Sequence, residues 1–101
     1  MTTTWFVTRH PGAVEWAQVS GIEVDRQVDH LDIRQIRSGD IVLGILPVHL
    51  AAAVCACGAR YFHLGLAVPL EHRGRELTAA DMARFGACLE EFIVDRRRSA
   101  C

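Results

Sequence analysis

The chain has 101 residues, with 11 Lys and Arg against 12 Asp and Glu and a net charge of −1, which suits a single domain and excludes a general attraction to long nucleic acids. A small anionic ligand stays open, because a local cluster can be basic while the whole is neutral. Half of the residues are hydrophobic, enough for one core, and no run approaches the about 18 apolar residues that span a bilayer. Residues 1–5 lack the basic region and apolar run of a secretory leader, so the expectation is a cytoplasmic protein without a membrane partner. A domain this small gains stability if a homodimer buries one of its faces.

Residues 3–8 are β-branched and aromatic and predict a first strand. Pro11 then opens a helix whose apolar positions are Ala13, Trp16 and Ala17, with Gly21 as its stop. Residues 22–28 return to an extended pattern, and residues 32–40 form a polar connection ending in the Ser38-Gly39-Asp40 turn. The nearly continuous apolar run 41–46 suits a strand covered on both faces. Pro47 ends it, residues 48–57 predict a buried helix, and Gly58 closes that helix. A further strand covers 61–68, followed by a charged loop over 69–76.

Thr78 predicts the N-cap of a last helix, with Asp81 three residues on in a capping box and Leu77 and Met82 as an apolar staple. Phe85, Leu89, Phe92 and Ile93 fall at helical spacing and extend this helix to the end of the domain. The order β-α-β-β-α-β-α argues for an α/β fold, a mostly parallel sheet flanked by helices. The domain is expected over 1–95, with 96–101 as a basic C-terminal tail. Arg96-Arg97-Arg98 reads as a solvated end or as a ligand contact.

In open α/β sheets, ligands bind beyond the carboxyl ends of the strands, and two such turns carry chemistry. In Thr8-Arg9-His10-Pro11-Gly12, Gly12 permits close backbone approach and free N–H groups of the helix start can hold a phosphate. Arg9 can grip the same phosphate with two N–H groups, and His10 can move a proton near neutral pH. The bland alternative is a capping turn with surface charges. In Gly44-Ile45-Leu46-Pro47-Val48-His49, Gly44, Pro47 and His49 suit a second ligand turn or simple turn chemistry equally well.

His10, His30 and His49 fall at or just past predicted strand ends. No two histidines have the spacing of a zinc helix, so no metal is expected. His63, in mid-strand with Tyr61, reads as a core or sheet-surface residue, and Asp25 with Asp29 is a weak acid–base pair. Cys55, Cys57, Cys88 and Cys101 read as reduced structural thiols. A Walker A loop, a Gly-x-Gly-x-x-Gly fingerprint and a Gly-x-Ser-x-Gly elbow are all missing, which removes support from ATPase, dinucleotide dehydrogenase and serine hydrolase readings.

Thr8-Arg9-His10-Pro11-Gly12-Ala13, Val24-Asp25 and His30-Leu31-Asp32 resemble the small CRISPR-associated Csx-sixteen (VVA-type) family. Gly39-Asp40-x-Val42-x-Gly44-x-Leu46-Pro47-Val48, Gly58-Ala59-Arg60-Tyr61 and Arg73-Gly74-Arg75-Glu76-Leu77 continue the resemblance across nearly the whole chain. One departure is His49, where an asparagine commonly follows Leu-Pro-Val. The resemblance implies a protein of type III CRISPR defence with a CARF-like, Rossmann-like fold. It implies a homodimeric ring nuclease that binds cyclic oligoadenylate, chiefly cyclic tetra-adenylate, across its two-fold axis.

On that implication Arg9, His10 and His49 are the catalytic candidates, and Thr8, Gly12, Gly44 and Pro47 the ligand-binding ones. Attack by the adjacent 2′-hydroxyl needs neither a metal nor a cofactor. The alternatives are a non-catalytic protein that sequesters the messenger and an accessory partner of the CRISPR effector.

Overall fold

A computed structural model describes residues 2–100. Five strands form one sheet in the order β2-β1-β3-β4-β5, namely β1 Thr4–Val7, β2 Arg26–Val28, β3 Ile41–Gly44, β4 Arg60–Gly65 and β5 Cys88–Phe92. The first four run parallel and β5 is antiparallel to β4. Helices α1 Pro11–Val19 and α3 Ala79–Arg84 cover one face, and α2 Val48–Ala56 covers the other.

Strand alternation sorts the core between these faces. Phe6, Leu43 and Leu64 point to α1 and α3, where they meet Trp16, Ala17 and Met82. Trp5, Val42 and Tyr61 point the other way, toward Ala51 and Val54 of α2 and toward Ile36, which caps a short 3-10 turn over Ile33–Gln35. Val42 and Val54 are fully buried, as a strand covered on both faces requires.

All three helices end in the same way. At the end of α3 the N–H of Gly86 bonds the Ala83 carbonyl and that of Ala87 bonds the Met82 carbonyl. This is the paired closure of a Schellman motif, and Gly86 has φ of +76°, a conformation open to glycine at little cost. Gly21 and Gly58 close α1 and α2 with the same pair of bonds.

The expected continuation of the last helix through Leu89 and Phe92 is therefore wrong. The helix stops at Arg84, and residues 88–92 form an edge strand paired to β4. Spacings of three and four residues among Phe85, Leu89, Phe92 and Ile93 mimic a helical stripe, but the Gly86 turn reverses the chain before it can form. The start of α3 is as expected, with Thr78 and Asp81 making both bonds of a capping box. Leu77 and Met82 both belong to the core beneath it. The strands are shorter than expected at their ends, with β2 limited to Arg26–Val28 and β4 to Arg60–Gly65.

Cys55, Cys57 and Cys88 are free thiols, and Cys101 lies outside the described residues. The Sγ of Cys55 accepts from the Val94 N–H at 3.5 Å and lies 3.8 Å from the Phe92 carbonyl, which joins the end of β5 to α2. Residues 95–100 are exposed and have no regular secondary structure. Among the described residues no helix is long and apolar enough to cross a membrane.

Candidate functional site

The chain leaves β1 into α1 on one face, and it leaves β3 into α2 on the other. Adjacent parallel strands whose connections diverge in this way open a crevice at their carboxyl ends. A cleft of about 600 Å³ occupies this place, within the range of small-molecule sites.

Arg9 and His10 enter the cleft from the β1–α1 turn, with Thr8 beside them. His30 and Asp29 arrive from the end of β2, and Arg75 from the loop between β4 and α3. Leu46, Pro47 and Leu50 form the α2 side, and Leu64, Leu66 and Met82 the opposite apolar side. Two guanidinium groups, two imidazoles and one carboxylate thus surround an apolar interior. Among the described residues Arg9, His30 and Arg75 have no hydrogen-bond or ion-pair partner.

Local bonds fix the β1–α1 turn. The Thr8 hydroxyl accepts from the His10 N–H at 3.1 Å, and the Gln27 side-chain amide donates to the Thr8 carbonyl. The His10 Nδ1 lies 3.4 Å from Glu76 Oε1. This exposed pair links the turn to the β4–α3 loop without much energy.

The start of α1 offers fewer donors than expected. Pro11 has no N–H, and the N–H groups of Ala13 and Val14 both turn back to the His10 carbonyl. Holding an anion at this edge therefore falls mainly to Arg9 and Arg75.

Gly12 is buried and is not part of the cleft wall. A Cβ on it would lie 1.8 Å from the Leu77 carbonyl oxygen, so the close approach it permits is between α1 and the segment preceding α3. Gly44 does line the cleft, and a Cβ there would lie 2.8 Å from the Val7 carbonyl oxygen. Its absent side chain lets β1 and β3 meet beneath the site.

The Gly44-Leu46 bend is braced from below by Tyr61. The tyrosine hydroxyl donates to the Gly44 carbonyl at 3.2 Å and accepts from the Leu46 N–H at 3.0 Å, with His63 Nδ1 at 2.7 Å. Burial raises the Tyr61 pKa above its ordinary value, a neighbouring Cys55 adds to this, and the Leu46 bond opposes it. The hydroxyl thus stays protonated at neutral pH. His63 is half-buried between Tyr61 and Phe92 and is a sheet-surface residue that serves this brace.

His49 sits exposed on the first turn of α2, outside the wall of the cleft. Thr8, Arg9, His10, Gly44 and Pro47 line one cleft, while His49 and Gly12 do not contribute to its wall. The structure adds Asp29 and His30, which directly follow the carboxyl end of β2 and so carried the same signal, and Arg75, which the course of the β4–α3 loop brings in from ten residues beyond β4. Asp25, by contrast, sits at the other end of β2, where its carboxylate accepts from the Thr4 N–H at 2.8 Å. Among the described residues no group of three or more His, Cys, Asp or Glu side chains is placed to hold a metal ion.

The family described as "Putative CRISPR-associated protein (Cas_VVA1548)" matches residues 5–95. No curated protein and no solved structure matches the chain.

Proposed function

We propose, for a chain that belongs to this CRISPR-associated family, that it is a ring nuclease cleaving cyclic oligoadenylate, with cyclic tetra-adenylate as the preferred messenger. The observation that carries the reading is the pair of guanidinium groups, Arg9 and Arg75, neither with an ion-pair partner among the described residues, set with the imidazoles of His10 and His30 around an apolar cleft. An oligoadenylate presents both halves of that chemistry, a phosphodiester for the guanidinium groups and flat bases for the apolar walls.

The reaction needs no metal, because the substrate brings its own nucleophile. The 2′-hydroxyl loses its proton and attacks the adjacent phosphorus. The new 2′-O–P bond forms as the P–O5′ bond breaks, and the 5′-oxygen takes up a proton. The products end in a 2′,3′-cyclic phosphate and a 5′-hydroxyl. Arg9 and Arg75 hold the phosphate and offset the charge that builds on it.

His10 is the acid–base candidate, and His30 faces the same cleft as the second proton carrier. His49, outside the wall, could act only on a ligand that reaches beyond one cleft. A homodimer would provide such a ligand path, with the ring across the two-fold axis. Exposed Ile45 and Val48 beside the cleft supply apolar surface for a second copy in the cytoplasm.

The test is incubation of the purified protein with cyclic tetra-adenylate in the presence of EDTA, followed by separation of products and bound ligand. Linear product ending in a 2′,3′-cyclic phosphate is expected. Intact bound ring would identify a protein that sequesters the messenger. Neither product nor binding would overturn both readings and leave a partner of the CRISPR effector.

A further inference from the structure

The cleft has a neighbour. A second concavity, of about 580 Å³, opens between the end of β4 and the loop before α3. The two share His10, Leu66, Arg75 and Leu77 as a common wall. Beyond that wall the outer lobe is lined by Val68, His72, Arg73, Gly74 and Glu76, whose carboxylate lies 3.4 Å from His10 Nδ1.

These residue types are suited to a nucleobase. Val68 and Leu66 give an apolar floor. The His72 ring is itself held against Phe85, with centroids 5.1 Å apart, so it is a fixed aromatic surface. Arg73 is tethered by its Nε to the Val68 carbonyl at 3.4 Å, which keeps a guanidinium beside the lobe. Bases stack on imidazole rings and guanidinium planes without requiring a particular sequence.

We infer that the two lobes form one site for two consecutive nucleosides of an oligonucleotide, one base in the inner cleft and the next in the outer lobe lined by Val68, His72 and Arg73. The inference rests on the proposed nucleotide ligand and goes beyond it in fixing the smallest unit recognised. The wall between the lobes bears His10 and Arg75, and the only part of a dinucleoside that lies between its two bases is the sugar–phosphate link. A base on each side of the wall therefore sets the phosphodiester against the proton carrier and the guanidinium. A mononucleotide would fill one lobe and leave the other unused. On this arrangement recognition depends on two linked nucleosides rather than on ring closure.

The experiment compares a dinucleotide that lacks the attacking hydroxyl, 2′-deoxyadenylyl-(3′→5′)-2′-deoxyadenosine, with 2′-deoxyadenosine monophosphate on the full chain. Binding is followed by amide chemical shifts. The dinucleotide should bind at least tenfold more tightly, equivalent to about 1.4 kcal/mol. It should move the amide signals of Val68, His72 and Arg73, which the mononucleotide leaves in place.

Val68→Trp, which fills the outer lobe, should remove the tenfold difference. His72→Ala should reduce it and serves if the tryptophan variant does not fold. Equal affinity for the two ligands, or shifts confined to the inner cleft, would overturn the two-lobed site. Ring cleavage without a dinucleotide advantage would overturn this inference alone. Failure of every adenine nucleotide to bind, with no ring cleavage, would overturn the proposed function and this inference together.

Discussion

The two ends of the sheet use polar groups in opposite ways. At the amino-terminal edge Asp40 is almost fully buried. Its carboxylate accepts from the Thr3 N–H at 3.1 Å, the Trp5 indole at 3.2 Å and the Arg37 N–H at 3.0 Å. Burial alone would push this carboxyl up. The Arg37 and Thr3 bonds, the Trp5 bond and the Arg37 charge outweigh it and hold the pKa below 3.8.

At the carboxyl edge the charges are exposed, and Arg9, His30 and Arg75 have no partner among the described residues. A buried charge persists only where its neighbours satisfy it. An open cleft can leave charges for something else to satisfy. The first edge has its charge satisfied within the fold, and the second leaves its guanidinium groups free for the ligand proposed above.

That contrast breaks if the two edges respond alike to substitution. His10→Ala should lower the ring-cleavage rate by about 10²–10⁴-fold, the range for a positioned acid or base, while the melting temperature stays within a few degrees. Kinetics and thermal melts on the same preparation check this, and an equal loss of stability would make His10 a structural residue. Asp40→Ala should do the reverse. It leaves three donors at the sheet edge without an acceptor and should cost about 3 kcal/mol, read from urea unfolding.

The same carboxylate gives the pH dependence a sign. Its folded pKa is depressed, so the stability it contributes is complete above the ordinary carboxyl value of 3.8 and is lost as the pH falls through the folded value. Acid unfolding of the wild type should therefore steepen below about pH 4, and the Asp40→Ala chain should show a shallower dependence there.

Gly12→Ala sharpens the comparison, because Gly12 belongs to the β1–α1 turn in sequence and to the packing against Leu77 in space. A methyl 1.8 Å from the Leu77 carbonyl oxygen must push α1 away from the segment before α3, at about 1–3 kcal/mol. Unchanged stability would mean the two elements do not pack as described. The smallest effect is expected for Tyr61→Phe. It removes the brace under Gly44 and Leu46 for about 1 kcal/mol, and weakened ligand binding should accompany it.

Gly86 shows how much of the fold was legible. Gly21 and Gly58 read as helix stops and are. Gly86 is the same residue with the same role, yet the spacing of Phe85, Leu89 and Phe92 outweighed it and hid β5. A period of three to four residues is weak evidence across a glycine, since the turn can reverse the chain and reuse the same apolar residues on a sheet edge. The capping box at Thr78 was legible because its bonds are local in sequence.

The site divides along the same line. Arg9, His10 and Thr8 could be read directly because they follow a strand and precede a helix. Arg75 could not be placed, because its position depends on how the β4–α3 loop crosses the strand ends. His30 and His49 looked alike in the sequence, each just past a predicted strand.

What the sequence by itself determined was the mostly parallel α/β core, the caps at Gly21, Gly58 and Thr78, and the position of Thr8-Arg9-His10 between a strand and a helix, because each depends on residues a few positions apart. Only the tertiary structure decided that β5 closes the sheet, that Gly12 packs against Leu77 and that His30 rather than His49 lines the cleft. Those outcomes depend on which distant segments share a sheet edge or a face, and that is set by the pairing of strands and the burial of both faces at once.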